Sequence, residues 1–137
     1  MIYLDTCAVV KLARYEDGSE ALFDWLDLHQ GESLVSSVLL EVELERALRR
    51  VEPAVLPRIP RILNAISRVE IDATVRATAG AYQDALLRSL DAIHLATAQI
   101  VTDSAKKELT AFVTYDKRLI AAARAVGLHV EHPGARY

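Results

Sequence analysis

The regular alternation of short apolar runs with segments of helical periodicity restricts the possible folds more than any other feature of the sequence. Residues 2–4 (IYL) and 111–113 (AFV) are apolar at every position, whereas a strand with one solvated face would alternate apolar and polar residues. Apolar side chains then recur at helical spacing, for example at Ala8, Val9 and Leu12. Buried strands linked by helices predict a three-layer α/β/α fold with a central, mostly parallel sheet.

Strands and helices are predicted along the whole chain. Strands are predicted at residues 2–4, 33–37, 69–72, 111–116 and 128–132, and helices at residues 7–16, 20–31, 38–52, 62–68, 73–88, 89–102 and 117–127. Gly31 and Gly127 are interpreted as helix terminators. The sequence contains no internal repeat, low-complexity tract or linker, so residues 1–137 are predicted to form a single domain.

Charge and cysteine content limit the compartment and the kind of partner. The net charge of -3 predicts no general electrostatic attraction to nucleic acid, so any phosphate binding would have to be local. Cys7 is the only cysteine and cannot form an internal disulfide, and an acid at position 5 is unlike the basic start of a signal peptide. The apolar stretches are shorter than the ~20 residues of a membrane span. We therefore expect a cytoplasmic protein that does not cross a membrane.

Two acidic residues directly follow predicted strands. Asp5 follows the first strand, and Asp116 ends the segment predicted as the fourth. The functional crevice of an open parallel sheet lies beyond the carboxyl ends of its strands, which is where both acids fall. Taken singly, each is more simply explained as a helix N-cap, because Asp accepts hydrogen bonds from free backbone N–H groups.

The predicted helix 38–52 carries three further acids. Glu41 and Glu45 share one face, predicted to be solvated, and Glu45 precedes Arg49 by the four residues typical of an ion pair. Glu43 points nearly the opposite way, along a partly apolar flank. It is a candidate site residue, and an intrahelical pair with Arg46 remains the alternative.

Asp91 begins another predicted helix, where the alternative to a functional role is stabilisation of the first turn by the helix dipole. His94 and Thr97 follow it in an otherwise apolar run, so this helix is expected to start next to something polar. His94 is interpreted as a hydrogen-bonded core histidine. A metal-free ribonuclease would instead need a pair of histidines as acid and base.

Four acids brought together by the fold would have a distinct chemistry. Close carboxylates repel one another and raise one another's pKa, which a shared proton or a divalent cation relieves. Oxygen ligands favour Mg²⁺ or Mn²⁺, and such sites position phosphates and activate water.

Four motifs in this order and spacing resemble those of the PIN-domain nucleases, most closely the bacterial toxins of VapC type. They are DTC at residues 5–7, SVLLEVELERA at 37–47, LDAIHLATA at 90–98 and TYDKRL at 114–119. The resemblance covers the whole chain, and the short length is typical of a toxin that consists of a PIN domain alone.

The resemblance implies a complete active site and its partners. It implies an acidic quartet around one or two Mg²⁺ or Mn²⁺ ions, with two nearby hydroxyls; the residues are Asp5, Glu43, Asp91 and Asp116, with Thr6 and Thr114. It implies endonucleolytic cleavage of RNA by metal-activated water, a reaction that leaves a 5′-phosphate and a 3′-hydroxyl. The class of RNA that it implies is tRNA or rRNA. It also implies a homodimer and a VapB-type antitoxin whose C-terminal segment puts a basic residue into the acidic pocket.

Two basic residues are candidates for binding RNA phosphates beside this site. Arg46 follows Glu43 on its helix, and Lys117 follows Asp116. The alternative for each is an exposed charge that only aids solubility.

Other functions remain open at this stage. A PIN nuclease of RNA processing would need no antitoxin, and a non-catalytic PIN module would bind without cleaving. Phosphatases that use D-x-D are disfavoured because Cys7 replaces the second acid, and Cys7 is interpreted as a small buried thiol.

Overall fold

A five-stranded sheet in which every neighbouring pair is parallel runs through the computed structural model, which describes residues 1–137. Its strand order is β3-β2-β1-β4-β5. The strands are β1 (Ile2–Leu4), β2 (Leu34–Ser37), β3 (Ser67–Val69), β4 (Ala111–Val113) and β5 (Val130–Glu131). The first strand is therefore central, and the residues that follow β1 and β4 are neighbours at one edge of the sheet.

Seven α-helices cover the two faces of this sheet. They are α1 (Thr6–Ala13), α2 (Ser19–Asp27), α3 (Leu40–Val51), α4 (Ile59–Asn64), α5 (Ala73–Ala81), α6 (Ser89–Ala105) and α7 (Lys117–Ala125), with a 3₁₀ helix at Pro53–Arg58. Successive strand residues alternate between two apolar cores, because side chains of a strand point to opposite faces. Ile2 and Leu4 pack with residues of α1 and α3, whereas Tyr3 packs with residues of α6 and α7. The predicted three-layer α/β/α architecture is confirmed.

The region around β3 differs from the sequence prediction. Residues 62–68 were predicted as helix and 69–72 as strand, but α4 ends at Asn64 and β3 spans Ser67–Val69. β3 is an edge strand with Ser67 and Arg68 exposed, so pairing with β2 rather than an apolar pattern defines it. Asp72 instead caps α5 through a 2.9 Å hydrogen bond from the backbone N–H of Val75.

Several helix ends also differ from prediction. The expectation that Gly31 terminates a helix is wrong, since α2 ends at Asp27. The helix predicted at 73–88 ends at Ala81, and α6 continues to Ala105, beyond the predicted residue 102. Gly127 follows the end of α7 with a φ of 85°, a conformation that glycine adopts without strain. None of the helices combines the length and the apolar character that spanning a membrane requires.

Candidate functional site at the carboxyl edge of β1 and β4

Asp5 caps α1 and also faces the edge of the sheet. Its Oδ1 accepts a 2.8 Å hydrogen bond from the backbone N–H of Thr6, and its Oδ2 accepts one of 2.8 Å from the Thr114 hydroxyl. Asp5 is only 5% exposed. The cap and the site, weighed as alternatives from the sequence, are compatible roles of one carboxylate because the two oxygens have different partners.

Glu43 projects from α3 towards Asp5 rather than along its own helix. Its Oε1 accepts hydrogen bonds from the Thr6 hydroxyl at 2.8 Å and from His94 Nε2 at 2.7 Å. The alternative pair with Arg46 is not formed. Partial burial favours protonation of Glu43, but the hydrogen bond and charge of His94, together with Thr6, lower its pKa overall. The carboxylate form is thus held in place by donors from two other helices.

His94 is buried, with 1% exposure, and connects the site to the core. Its Nδ1 shares a 2.7 Å hydrogen bond with the Tyr3 hydroxyl, and its Nε2 lies 3.6 Å from Asp5 Oδ1. Burial lowers the pKa of His94, but the hydrogen bond that it donates to Glu43 and the negative charges of Asp5, Glu43 and Asp91 raise that pKa overall. The prediction of a hydrogen-bonded core histidine is confirmed. The sequence analysis did not pair His94 with Glu43. The only available signal was that His94 lies one turn after Asp91 and therefore near the predicted site.

Asp91 and Asp116 lie on either side of Arg88, a residue that the sequence analysis did not select. The guanidinium lies 3.8 Å from Asp91 Oδ2 and 3.7 Å from Asp116 Oδ2. Asp116 also caps α7, accepting a 2.9 Å hydrogen bond from the backbone N–H of Leu119. Partial burial, and then the negative charges of Asp5 and Asp116, raise the pKa of Asp91. The four acids predicted from the sequence therefore belong to one connected region.

The donor set of this region fits a hard divalent cation. The carboxylates supply oxygen ligands, and Arg88 already places a positive charge between Asp91 and Asp116. The pKa of Asp91 is raised first by partial burial and then by the negative charges of Asp5 and Asp116, which a cation would neutralise. No three of the acidic, histidine or cysteine side chains converge into a ready-made metal cluster. An ion bound in this region would compete with Arg88 for Asp91 and Asp116.

The remaining predicted residues have different surroundings. Arg46 lines a groove that begins at Glu43, whereas the ammonium of the exposed Lys117 lies 5.1 Å from the centre of the Tyr137 ring. Cys7 donates to Asp5 Oδ2 at 3.1 Å and accepts from the backbone N–H of Tyr115 at 3.2 Å. Burial, and then the charge of Asp5, raise the pKa of the Cys7 thiol. Cys7 is a packed thiol with no sign of nucleophilic activation.

Residues 2–125 match the model of the PIN domain family. The chain belongs to the PIN-domain family. The PIN domain is 54% identical over 134 residues to Ribonuclease VapC35 of Mycobacterium tuberculosis, covering 98% of both chains. It is 41% identical over 138 residues to Ribonuclease VapC47 of the same species, again over 98% of both. These relatives show that it is a PIN domain of VapC type, which confirms the resemblance found in the sequence.

Solved structures agree on the fold of this PIN domain. A chain of the VapBC2 structure from Rickettsia felis, bound to a DNA fragment from its promoter, matches with a TM-score of 0.70 at 15% identity, covering 97% of this chain and 99% of that one. The Mycobacterium tuberculosis toxin VapC20, which cleaves the sarcin-ricin loop, matches with a TM-score of 0.66 at 14% identity, covering 89% and 95%. At these identities the likeness establishes the fold alone.

Proposed function

We propose that the protein is an Mg²⁺- or Mn²⁺-dependent endoribonuclease that acts as the toxin of a VapBC-type toxin–antitoxin module. The observation that carries this function is the gathering of Asp5, Glu43, Asp91 and Asp116 from four separate segments into one acidic region. Two relatives named ribonuclease, 54% and 41% identical over 98% of the chain, support the same activity.

The acidic quartet would hold the metal. Asp5, Glu43, Asp91 and Asp116 supply the oxygen ligands that Mg²⁺ and Mn²⁺ prefer. When bound, the ion supplies positive charge to a scissile phosphate and makes water a stronger nucleophile. An acidic protein can then act on RNA, because the attraction for phosphate is confined to the site.

The protein's own residues would hold these ligands in position. Thr114 donates to Asp5 and Thr6 donates to Glu43, so each hydroxyl restricts the rotation of one carboxylate. Arg46 and Lys117 are proposed to bind phosphates that flank the cleaved bond. The carboxylates of Asp5 and Glu43 are thereby held in place before substrate binds.

The biological setting is proposed from the family. The substrate is RNA, with tRNA or rRNA as the class. The partner is a VapB-type antitoxin, in keeping with the VapBC pairing of the Rickettsia felis structure. We further propose that residues 1–137 form one PIN domain, that two copies form a homodimer and that the protein acts in the cytoplasm.

The decisive experiment is cleavage of purified cellular RNA by the antitoxin-free protein in Mg²⁺, in Mn²⁺ and in excess EDTA. Asp5→Asn tests the site, and Glu45→Gln is the matched control, because Glu45 lies on α3 but pairs only with Arg49. We expect fragments with 5′-phosphates from the parent and from Glu45→Gln, and none with EDTA or with Asp5→Asn. Cleavage that survives EDTA would overturn the metal mechanism, and no cleavage of any RNA by the parent would favour a binding module.

A further inference from the structure

A cavity of about 490 Å³ lies between α1 and α3 and opens onto the acidic site. Thr6 and Glu43 are among its lining residues, so the cavity reaches the acidic site where the scissile phosphate would lie. Its volume falls within the roughly 300–1,000 Å³ of clefts that take small organic groups. A nucleotide bound in this groove would therefore lie next to the reacting phosphate.

The basic residues of the groove divide into paired and unpaired cations. Lys11 and Arg14 both pair with Glu16, at 3.3 and 2.9 Å, and Arg14 also lies 3.9 Å from Glu52. Arg46 and Arg50 line the same groove, and neither forms an ion pair or a side-chain hydrogen bond. Two guanidinium groups are thus free to bind an anion.

The unpaired cations are spaced along one side of α3. Arg46 and Arg50 are four residues apart, which is a rise of about 6 Å along the helix axis. They continue the line that starts at Glu43, leading away from the acidic site. Arginine binds phosphate with two parallel hydrogen bonds, so this row suits the backbone of a nucleic acid strand.

The floor of the groove is apolar. Val10 of α1 and Ala47 of α3 line it together with Tyr115, and Val51, which is 46% exposed, lines it too. Lys11 Nζ lies 4.6 Å from the centre of the Tyr115 ring, and the Tyr115 hydroxyl donates to the carbonyl of Pro133 at 2.8 Å, so this aromatic wall is fixed. An unstacked base has a flat apolar face that such a floor can cover.

We propose that the α1–α3 groove is a subsite for one unpaired nucleotide adjacent to the cleaved bond, with its base on the Val10–Ala47 floor and its phosphates on Arg46 and Arg50. This subsite rests on the proposed nuclease function and narrows its substrate to RNA that is single-stranded at the cut. A duplex keeps its bases stacked and paired, so it cannot place a single base in this groove.

The first test measures binding separately from cleavage. The full chain carrying Asp5→Asn is titrated in EDTA with a fluorescein-labelled oligouridylate, and Arg46→Ala/Arg50→Ala is compared with Arg49→Ala. Arg49 is the control because it lies on the same helix and pairs with Glu45 at 2.8 Å. We expect roughly tenfold weaker binding for the double variant. The slope of log affinity against log salt should fall by about 1.4, because each single-strand phosphate contact contributes about 0.7.

The second test addresses the base. Ala47→Leu, or Val10→Leu from the other wall, narrows the floor and should weaken oligouridylate binding several-fold while leaving the salt slope unchanged. Val42→Leu on the exposed side of α3 is the matched control and should bind as the parent does. Thermal unfolding of each variant verifies that it is folded, and a variant that does not fold is replaced by its counterpart on the other helix.

The outcomes separate this subsite from the proposed function. Unchanged binding and cleavage by Arg46→Ala/Arg50→Ala would overturn the subsite and leave the nuclease intact. Groove-dependent binding by a parent protein that cuts no RNA in Mg²⁺ would support the subsite and overturn the nuclease. Displacement of the probe by oligoglutamate at equal affinity would overturn the assignment to RNA in favour of an acidic protein segment.

Discussion

His94 Nε2 lies 2.7 Å from Glu43 Oε1, and this contact joins the buried part of α6 to α3. Tyr3 extends the connection into the centre of the sheet through a 2.7 Å bond to His94 Nδ1. Glu43 is therefore positioned by a buried side chain whose two ring nitrogens both have hydrogen-bond partners. The orientation of Glu43 thus depends on the core around Tyr3, to which His94 connects it.

Replacement of His94 should show this dependence directly. We expect His94→Phe to lower the free energy of unfolding by about 2–3 kcal/mol, because the aromatic ring is kept while the buried Tyr3 hydroxyl loses its partner. RNA cleavage should fall at least tenfold, and more Mg²⁺ should be needed for half-maximal rate. Urea unfolding and a Mg²⁺ titration measure these two effects. His94→Gln, which restores a donor, should recover part of the activity; a variant with unchanged Mg²⁺ dependence would reduce His94 to a structural residue.

Asp5→Asn should abolish cleavage while changing stability little. Asparagine is as good an N-cap as aspartate, so we expect the free energy of unfolding to change by less than about 1 kcal/mol. Asp5→Ala, which loses the cap, should cost a further 0.5–2 kcal/mol or so. Chemical unfolding of both variants measures the difference. Loss of the folded circular dichroism spectrum in Asp5→Asn would mean that Asp5 serves the fold first and the site second.

Asp91→Asn should stabilise the metal-free protein at neutral pH. The pKa of Asp91 is raised on folding by partial burial and by the charges of Asp5 and Asp116. Folding therefore favours the protonated form, and the stability that this proton confers is lost as the pH rises through the folded-state pKa. At neutral pH the ionised group opposes folding, and its removal should raise the melting temperature in EDTA. The gain should shrink as the pH falls towards the unfolded-state pKa; a gain that grows instead would contradict the prediction.

Arg88→Ala should make the protein respond more strongly to Mg²⁺. Arg88 is two-thirds exposed and lies between Asp91 and Asp116, where a divalent cation would compete with it. We expect its removal to lower the melting temperature slightly in EDTA, because the two acids lose a shared positive charge, and to enlarge the increase on adding Mg²⁺. Differential scanning fluorimetry with and without Mg²⁺ measures both changes. Arg49→Ala is the control. If Mg²⁺ raised the melting temperature of Arg88→Ala and of Arg49→Ala equally, competition between Arg88 and the cation would be excluded.

Local patterns were sufficient for much of the fold. The consecutive apolar residues of β1 and β4 indicated strands buried on both faces, because only such strands lack a polar side. The edge strand β3 was misplaced, because its residues are largely exposed and only pairing with β2 selects them. Glu45 and Arg49 were paired correctly, since their contact lies within a single helix.

The sequence by itself determined the layered α/β class, the caps at Asp5 and Asp116, and the membership of the PIN-domain family. The tertiary structure alone decided that His94 holds Glu43, that Arg88 lies between Asp91 and Asp116, and that α1 and α3 form a groove with two unpaired arginines. The physical reason is the separation along the sequence of the residues that interact. Strand burial and helix caps depend on residues a few positions apart, whereas these contacts depend on where separate helices pack around the sheet.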